Sequence, residues 1–160
     1  RSEPFEKDIE TLRLAVKASN LRAGDVMLLG SVSGKNRGPV EMALACRAMG
    51  VKVIGLTSMA YTARVKSLHP SGKKLHEVVD VAIDNGAPYG DAAVEVPGFK
   101  DKMLPVSGVA MTVAGWMLWG RVMEVMAAAG SPPSVFISIN RDGGQEYYDK
   151  SRAEFNRRGY

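Results

Sequence analysis

Residues Val26–Thr57 read VMLLGSVSGKNRGPVEMALACRAMGVKVIGLT, and this stretch decides the fold. Val26-Met27-Leu28-Leu29 is a short, unbroken apolar run, the pattern of a strand buried on both faces. Polar residues from Ser31 to Gly38 then form a loop. Pro39 suits the first turn of a helix, where its missing N–H has no partner to lose. The helix runs through Met42, Ala45, Cys46 and Met49, and Gly50 fits its stop. Val51–Thr57 is a second buried strand. Strand, helix and strand at this spacing make one parallel βαβ crossover, which places the chain in the α/β class.

Outward from this unit, Phe5, Ile9, Leu12 and Val16 recur at helical spacing and predict a first amphipathic helix over Phe5–Asn20. On the other side, Ser58–Ser67 contains a short helix, interrupted at Pro70-Ser71-Gly72. Lys73–Val78 begins another helical turn, and Val78–Ile83 reads as a third strand. Loops at Asn85–Gly90 and Pro97–Pro105 flank a short strand at Ala93–Val96. Ser107 or Gly108 opens a long apolar helix reaching Ala129, ended by Gly130-Ser131-Pro132-Pro133. Trp116, Trp119 and four methionines make this region apolar on nearly every side, which predicts burial against the sheet and something else. Val135–Ile139 is β-branched and aromatic and reads as a strand, and Gln145–Arg158 as a final charged helix.

The chain's 160 residues suffice for one domain with a real core, and we expect a single domain over residues 1–160. Hydrophobic residues at 46% and charged residues at 24% match a soluble globular protein rather than a disordered one. The net charge of +4 is spread over small clusters at Lys35/Arg37, Lys73/Lys74 and Arg157/Arg158. A nucleic-acid protein shows a denser basic stripe with interleaved aromatics, so an anionic small ligand fits better. The sole cysteine, Cys46, excludes an internal disulfide and fits a reduced, cytoplasmic compartment. The uncharged run Val106–Gly120 falls short of the roughly 20 residues a membrane-spanning helix needs. The chain begins at Arg1 without a leader pattern, so we expect a start processed or cut from something longer.

The chemistry points to Gly30-Ser31-Val32-Ser33-Gly34-Lys35-Asn36, at the carboxyl end of the first strand. Ligands of parallel α/β sheets bind at this edge, where a helix N-terminus offers unpaired N–H groups and partial positive charge. Two hydroxyls, a glycine, the Asn36 amide and the cations Lys35 and Arg37 suit a phosphate. The competing reading is a polar loop in which Ser31 and Ser33 cap the helix. Neither a Walker motif nor a dinucleotide fingerprint is present, which argues against ATP, GTP and NAD.

The stretch Gly24-Asp25-Val26 through Asn36, followed by VEMALACRAMGVKVIGLTS, resembles the sugar isomerase (SIS) domain. SLHPSGKKLHEVVDVAIDNGAPYGDAAVEVPG, the long apolar helix and SPPSVFISINRDGG are similar to one bacterial branch of that family, whose reaction is poorly defined. The resemblance runs from Leu21 to Gly144 and implies a three-layer αβα sandwich on a parallel sheet, flavodoxin-like or Rossmann-like. It implies that the Ser-x-Ser-Gly loop grips the phosphate of a phosphosugar, through Ser31, Ser33, Gly34, Lys35 and Asn36. It implies a homodimer or higher homo-oligomer as well. SIS domains carry an earlier strand with a Gly-x-Gly-x-Ser loop; no Gly-x-Gly occurs in this chain, so we expect the first strand and first phosphate loop to be lacking.

Aldose–ketose isomerisation needs a base to move a proton between adjacent carbons and an acid or base to open the sugar ring. His69, before Pro-Ser-Gly, is the ring-opening candidate, and Glu77 the base. Thr57 and Ser58 end the second strand on the same edge as Ser31, where their hydroxyls reach toward the sugar. His76 reads as packing, Lys73 and Lys74 as solvated or phosphate-neutralising, and Asp80 and Asp84 as structural. Two histidines and one cysteine leave no zinc-site spacing, and no cofactor is called for. An isomerase, a non-catalytic phosphosugar sensor and an amino-sugar-phosphate lyase all remain open.

Overall fold

A computed structural model describes residues 9–158 of the chain. It forms two compact units, Arg1–Ala114 and Gly115–Tyr160. In the first, α1 (Ile9–Ala18) precedes β1 (Val26–Gly30), α2 (Arg37–Ala48) and β2 (Lys52–Thr57). Next come a short α3 (Met59–Thr62), a single 3₁₀ turn at Leu75–Glu77 and β3 (Val81–Asp84). The expected start of α1 at Phe5 lies outside the described residues.

The three strands form one parallel sheet in the order β1-β2-β3, with Leu29 opposite Gly55 and Gly55 opposite Ala82. This is the mixed α/β, parallel-sheet architecture that Val26–Thr57 dictates. Strand side chains alternate between faces. The face carrying Leu29 and Val53 joins Val40, Ala43 and Cys46 of α2 and Val16 of α1 in one core. Leu75 and Val78, from the β2–β3 crossover, complete that core. Gly55 lets the crossover press onto the strand: a Cβ there would lie 3.1 Å from Val79 and 3.4 Å from Leu75.

The opposite face is less covered than the continuous apolar runs predict. Val26 and Val81 are 59% and 51% exposed, whereas Leu56 is buried. Toward the end of β1, Met111 fills the place of a Gly30 side chain, at 3.0 Å.

The third strand starts three residues later than its apolar run suggests. Asp80 accounts for the delay: its carboxylate accepts the Val53 N–H at 2.8 Å and pairs with Arg47 and Lys52, so it closes the crossover. A hairpin follows, β4 (Ala92–Val94) antiparallel to β5 (Met103–Pro105). β5 falls in a stretch expected to be loop, because Pro105 and a left-handed Leu104 (φ 62°) disguise it. Helix α4 (Ser107–Ala128) is capped by Asp91, whose carboxylate accepts Ser107 N–H and Oγ–H at 2.8 and 2.7 Å. On this helix, Trp116 and Met117 are 71% and 72% exposed. No described helix is long and apolar enough to cross a membrane.

In the second unit, α5 (Gly144–Arg158) forms where the charged tail predicts it. Val135–Ile139 is not a strand. Its β-branched composition favours extension, but a strand needs a ladder partner, and no described segment pairs with it. It is instead held to α5: Ser151 Oγ donates to the Val135 carbonyl at 3.3 Å, and the Phe136 and Tyr148 rings meet at 5.6 Å.

Leu75 is fully buried between the sheet and the crossover. We predict that Leu75→Ala costs about 2–5 kcal/mol, the ordinary price of a large-to-small core change. A lowered urea midpoint at unchanged slope would register it.

Candidate functional site

The loop between β1 and α2 is fastened from behind. Ser31 N–H donates to the Leu56 carbonyl at 2.9 Å, and Gly34 N–H to that of Ser31 at 3.1 Å. The Val32, Gly34 and Lys35 carbonyls accept from Ser58, Leu75 and Leu68 N–H, each at 2.9 Å. Thr57 Oγ–H adds a second bond to the Val32 carbonyl at 3.3 Å. These bonds turn the carbonyls inward. The amides of Val32, Ser33, Lys35 and Asn36 meet no acceptor among the described residues.

Gly34 makes the turn possible. Its φ of +62° is left-handed, and a Cβ there would lie 3.0 Å from Thr57 Oγ1. Asn36 is the N-cap of α2, extended at φ −71° and ψ 149°, with no side chain bonded to the helix's first amides. The expectation that Ser31 and Ser33 serve as caps is therefore not met. The unpaired first-turn N–H groups and the helix dipole face the same place as the free loop amides. Ser33 is buried at 6% exposure, while the Asn36 side chain is exposed and Ser31, Lys35 and Arg37 are half-buried.

Thr57 and Ser58 are fully buried beneath this loop. Ser58 Oγ donates to the Ala87 carbonyl at 2.5 Å and accepts from Tyr61 N–H, capping α3. Both hydroxyls are spent on holding the carboxyl edge together. Lys74 serves likewise, donating through Nζ to the Thr62 carbonyl at 2.6 Å.

A second centre lies beside the loop. His69 and Glu41 are both buried, at 8% and 3% exposure, with His69 Nε2 2.7 Å from Glu41 Oε2. Arg13 of α1 donates through Nε to Glu41 Oε1. On its other side, His69 Nδ1 accepts the Ser71 N–H at 3.1 Å and lies 2.8 Å from Ser71 Oγ. An N–H can only donate, so the neutral ring carries its proton on Nε2, directed at Glu41. Burial pushes the Glu41 carboxyl up, but the hydrogen bonds from His69 and Arg13 and the Arg13 charge outweigh it and hold it below the ordinary range. Glu41 is therefore an ionised carboxylate in the interior.

The carboxylate at His69 is Glu41, a residue that sequence reasoning missed among the apolar positions of α2. No local signal marks it: a charge in a helix is rarely buried unless paired, and its partners Arg13 and His69 are each 28 residues away in sequence. Glu77 instead accepts the Lys74 N–H at 2.7 Å, closing the 3₁₀ turn, and is exposed. Glu41 lies five residues beyond Asn36 on α2, about 7 Å along a helix rising 1.5 Å per residue. Leu68, adjacent to His69, is bonded to the Lys35 carbonyl, so the two centres are mechanically joined. The pair also borders a cleft of about 610 Å³ between α1 and α2, lined by Arg13, Lys17, Leu44 and Met49. Among the described residues, no three His, Cys, Asp or Glu side chains gather as a metal site would require.

A strand, a serine loop with open amides, a helix and a second parallel strand occupy Val26–Thr57, and residues 2–58 match the family model of the SIS domain. Residues 2–58 are those of a SIS domain. The chain is 36% identical to a UPF0309 protein of Caldanaerobacter subterraneus over 99% of its length and 65% of that protein. A UPF0309 protein of Streptomyces griseus is 37% identical over 86% of this chain and 55% of its own length. One from Halalkalibacterium halodurans is 40% identical over 82% of this chain and 54% of its own. The chain thus spans between half and two thirds of the length of these curated relatives. The SIS match covers α1, the loop, α2 and Glu41, and ends before His69.

Two outcomes follow. Gly34→Ala forces a left-handed alanine against Thr57 and costs about 1–2 kcal/mol from the backbone alone, measurable by urea unfolding. Because the folded Glu41 carboxyl titrates below its unfolded value, its contribution is present above the ordinary glutamate range and is lost as pH falls through the depressed value. An acid titration of stability should therefore be steeper for the native chain than for Glu41→Gln.

Proposed function

We propose that this chain binds a phosphorylated sugar over Ser31–Asn36 and interconverts its aldose and ketose forms. What supports the binding step best is the set of four amides without internal partners, at Val32, Ser33, Lys35 and Asn36. A phosphate monoester brings several acceptor oxygens and negative charge to such a place. Ser31, Ser33 and Asn36 add side-chain donors, Gly34 leaves room for close approach, and Lys35 with Arg37 supplies positive charge. Thr57 and Ser58 act in this reading as the scaffold beneath the loop.

The isomerisation step is supported by the Glu41–His69 pair, a buried acid–base unit about one and a half helical turns from the phosphate loop. Proton movement between adjacent sugar carbons, and opening of the ring, both need such a group near the ligand. We assign that role to Glu41 with His69 in preference to Glu77, whose carboxylate is engaged at the 3₁₀ turn. A homodimer or higher homo-oligomer belongs to this reading, supported by the exposed Trp116, Met117 and Trp119 of α4. So does a cytoplasmic site of action, supported by the free, buried Cys46.

The competing reading is a phosphosugar sensor without turnover. One observation favours it: both ring nitrogens of His69 are hydrogen-bonded within the protein. Conversion of a bound phosphosugar, lost in Glu41→Gln with binding retained, separates the two.

The binding claim is tested by thermal melting with hexose, pentose, heptose and N-acetylamino-sugar phosphates. A true ligand at a hundred times its dissociation constant adds about 2.7 kcal/mol of stability. We expect a concentration-dependent rise with at least one phosphosugar, reduced in Ser33→Ala. A rise with nucleotides and with no phosphosugar would overturn the assignment.

A further inference from the structure

The Glu41–His69 pair is approached from two sides, by the cleft between α1 and α2 and by the turn that carries Ser71. Glu41 and His69 are buried, whereas Ser71, which meets His69 Nδ1, is exposed. Neither imidazole nitrogen is free: Nε2 lies on Glu41 and Nδ1 on Ser71. On the side away from the cleft between α1 and α2, a group outside exchanges a proton with this centre through the Ser71 hydroxyl.

The chain of donors runs in one direction. Lys73 N–H donates to Ser71 Oγ at 3.3 Å, Ser71 Oγ–H points to His69 Nδ1, and His69 Nε2–H points to Glu41. A carboxylate behind an imidazole fixes the ring's tautomer and orientation, and the ring accepts the proton of the hydroxyl in front of it. Surroundings favour approach: Gly72 beside Ser71 has φ +72°, and a Cβ there would meet nothing within 4 Å. The turn is also fixed in place, by Ser67 Oγ donating to the Lys73 carbonyl at 2.6 Å and by Leu68 bonded to the phosphate loop.

We propose that Ser71 is the residue of this centre that touches the substrate, with His69 and Glu41 as positioning residues behind it. This rests on the phosphosugar reading and names the ring-opening group. In a cyclic phosphosugar, Ser71 Oγ takes the proton of the anomeric hydroxyl as its own proton passes to His69 Nδ1. The bond from the anomeric carbon to the ring oxygen breaks, and the carbonyl forms. The ring oxygen then receives the proton back from the imidazolium through Ser71. One proton moves between two oxygens of the sugar, and the protein returns to its starting state.

The proposal predicts an activated serine, detectable without knowing the sugar. Treat the full chain with a fluorophosphonate and map the modified peptides by mass spectrometry. Ser131 and Ser134 are exposed serines with no imidazole partner and serve as comparators within the same molecule. We expect Ser71 to react about a hundredfold faster than either, the size typical of general-base assistance. Glu41→Gln and His69→Gln should bring Ser71 down to their rate. Because substitution of a buried residue can prevent folding, the comparison within the native chain decides by itself. Ser71 reacting no faster than Ser131 and Ser134 overturns the proposal. A fast Ser71 in a chain whose melting responds to no phosphosugar upholds the activated serine and removes the phosphosugar reading. A melting response without a fast Ser71 does the reverse.

Discussion

Everything in the first unit turns on the direction of the peptide groups at the β1–α2 junction. Carbonyls of Val32, Gly34 and Lys35 are all taken up by amides of the following chain, while the N–H groups of Val32, Ser33, Lys35 and Asn36 meet no acceptor among the described residues. A junction of this kind has an excess of donors, and the helix dipole of α2 adds partial positive charge to the same spot. Only a glycine allows the left-handed step at Gly34 without strain, and the space its side chain would need is filled by Thr57. In the proposed reading, anion binding is thus a property of backbone geometry, and the serines refine it.

Glu41 shows how the fold couples that junction to a second chemistry. An ionised carboxylate in the interior is costly unless paired and hydrogen-bonded. Here Arg13 comes from α1, His69 from the β2–β3 crossover and Glu41 from α2, so three separate elements converge on one buried charge. The same contacts that make the charge tolerable also fix the tautomer of His69 and the place of the Ser71 hydroxyl. Stability is therefore tied to this point, and acid weakens it.

The amount of this that is legible in the sequence varies with the origin of the signal. Val26–Thr57 is readable because each part has its own local cause: apolar runs for the strands, Pro39 and Gly50 for the helix limits. Helices α1, α4 and α5 follow from periodicity or composition within a residue or two, apart from the start of α1. Val135–Ile139 misleads because β-propensity is satisfied only by a neighbouring strand, which no local pattern reveals. β5 is missed for the opposite reason: pairing with β4 imposes a strand on a stretch containing Pro105. At the proposed site, Ser31-Val32-Ser33-Gly34 alone singles out the loop. Glu41 is not singled out, since an acidic residue in a helix looks solvated until the residues folded over it are known. Glu77, the base expected from the sequence, accepts the Lys74 N–H within a local turn.

The central claim is that an anion lies against specific backbone amides, and amide chemical shifts report on those atoms directly. In ¹⁵N–¹H spectra of the full chain titrated with inorganic phosphate and then with phosphosugars, Val32, Ser33, Lys35 and Asn36 should move together and saturably. Ser31 and Gly34, whose N–H groups already have internal acceptors, should move far less. Unchanged resonances for those four amides, with saturable changes elsewhere in the chain, would contradict the account.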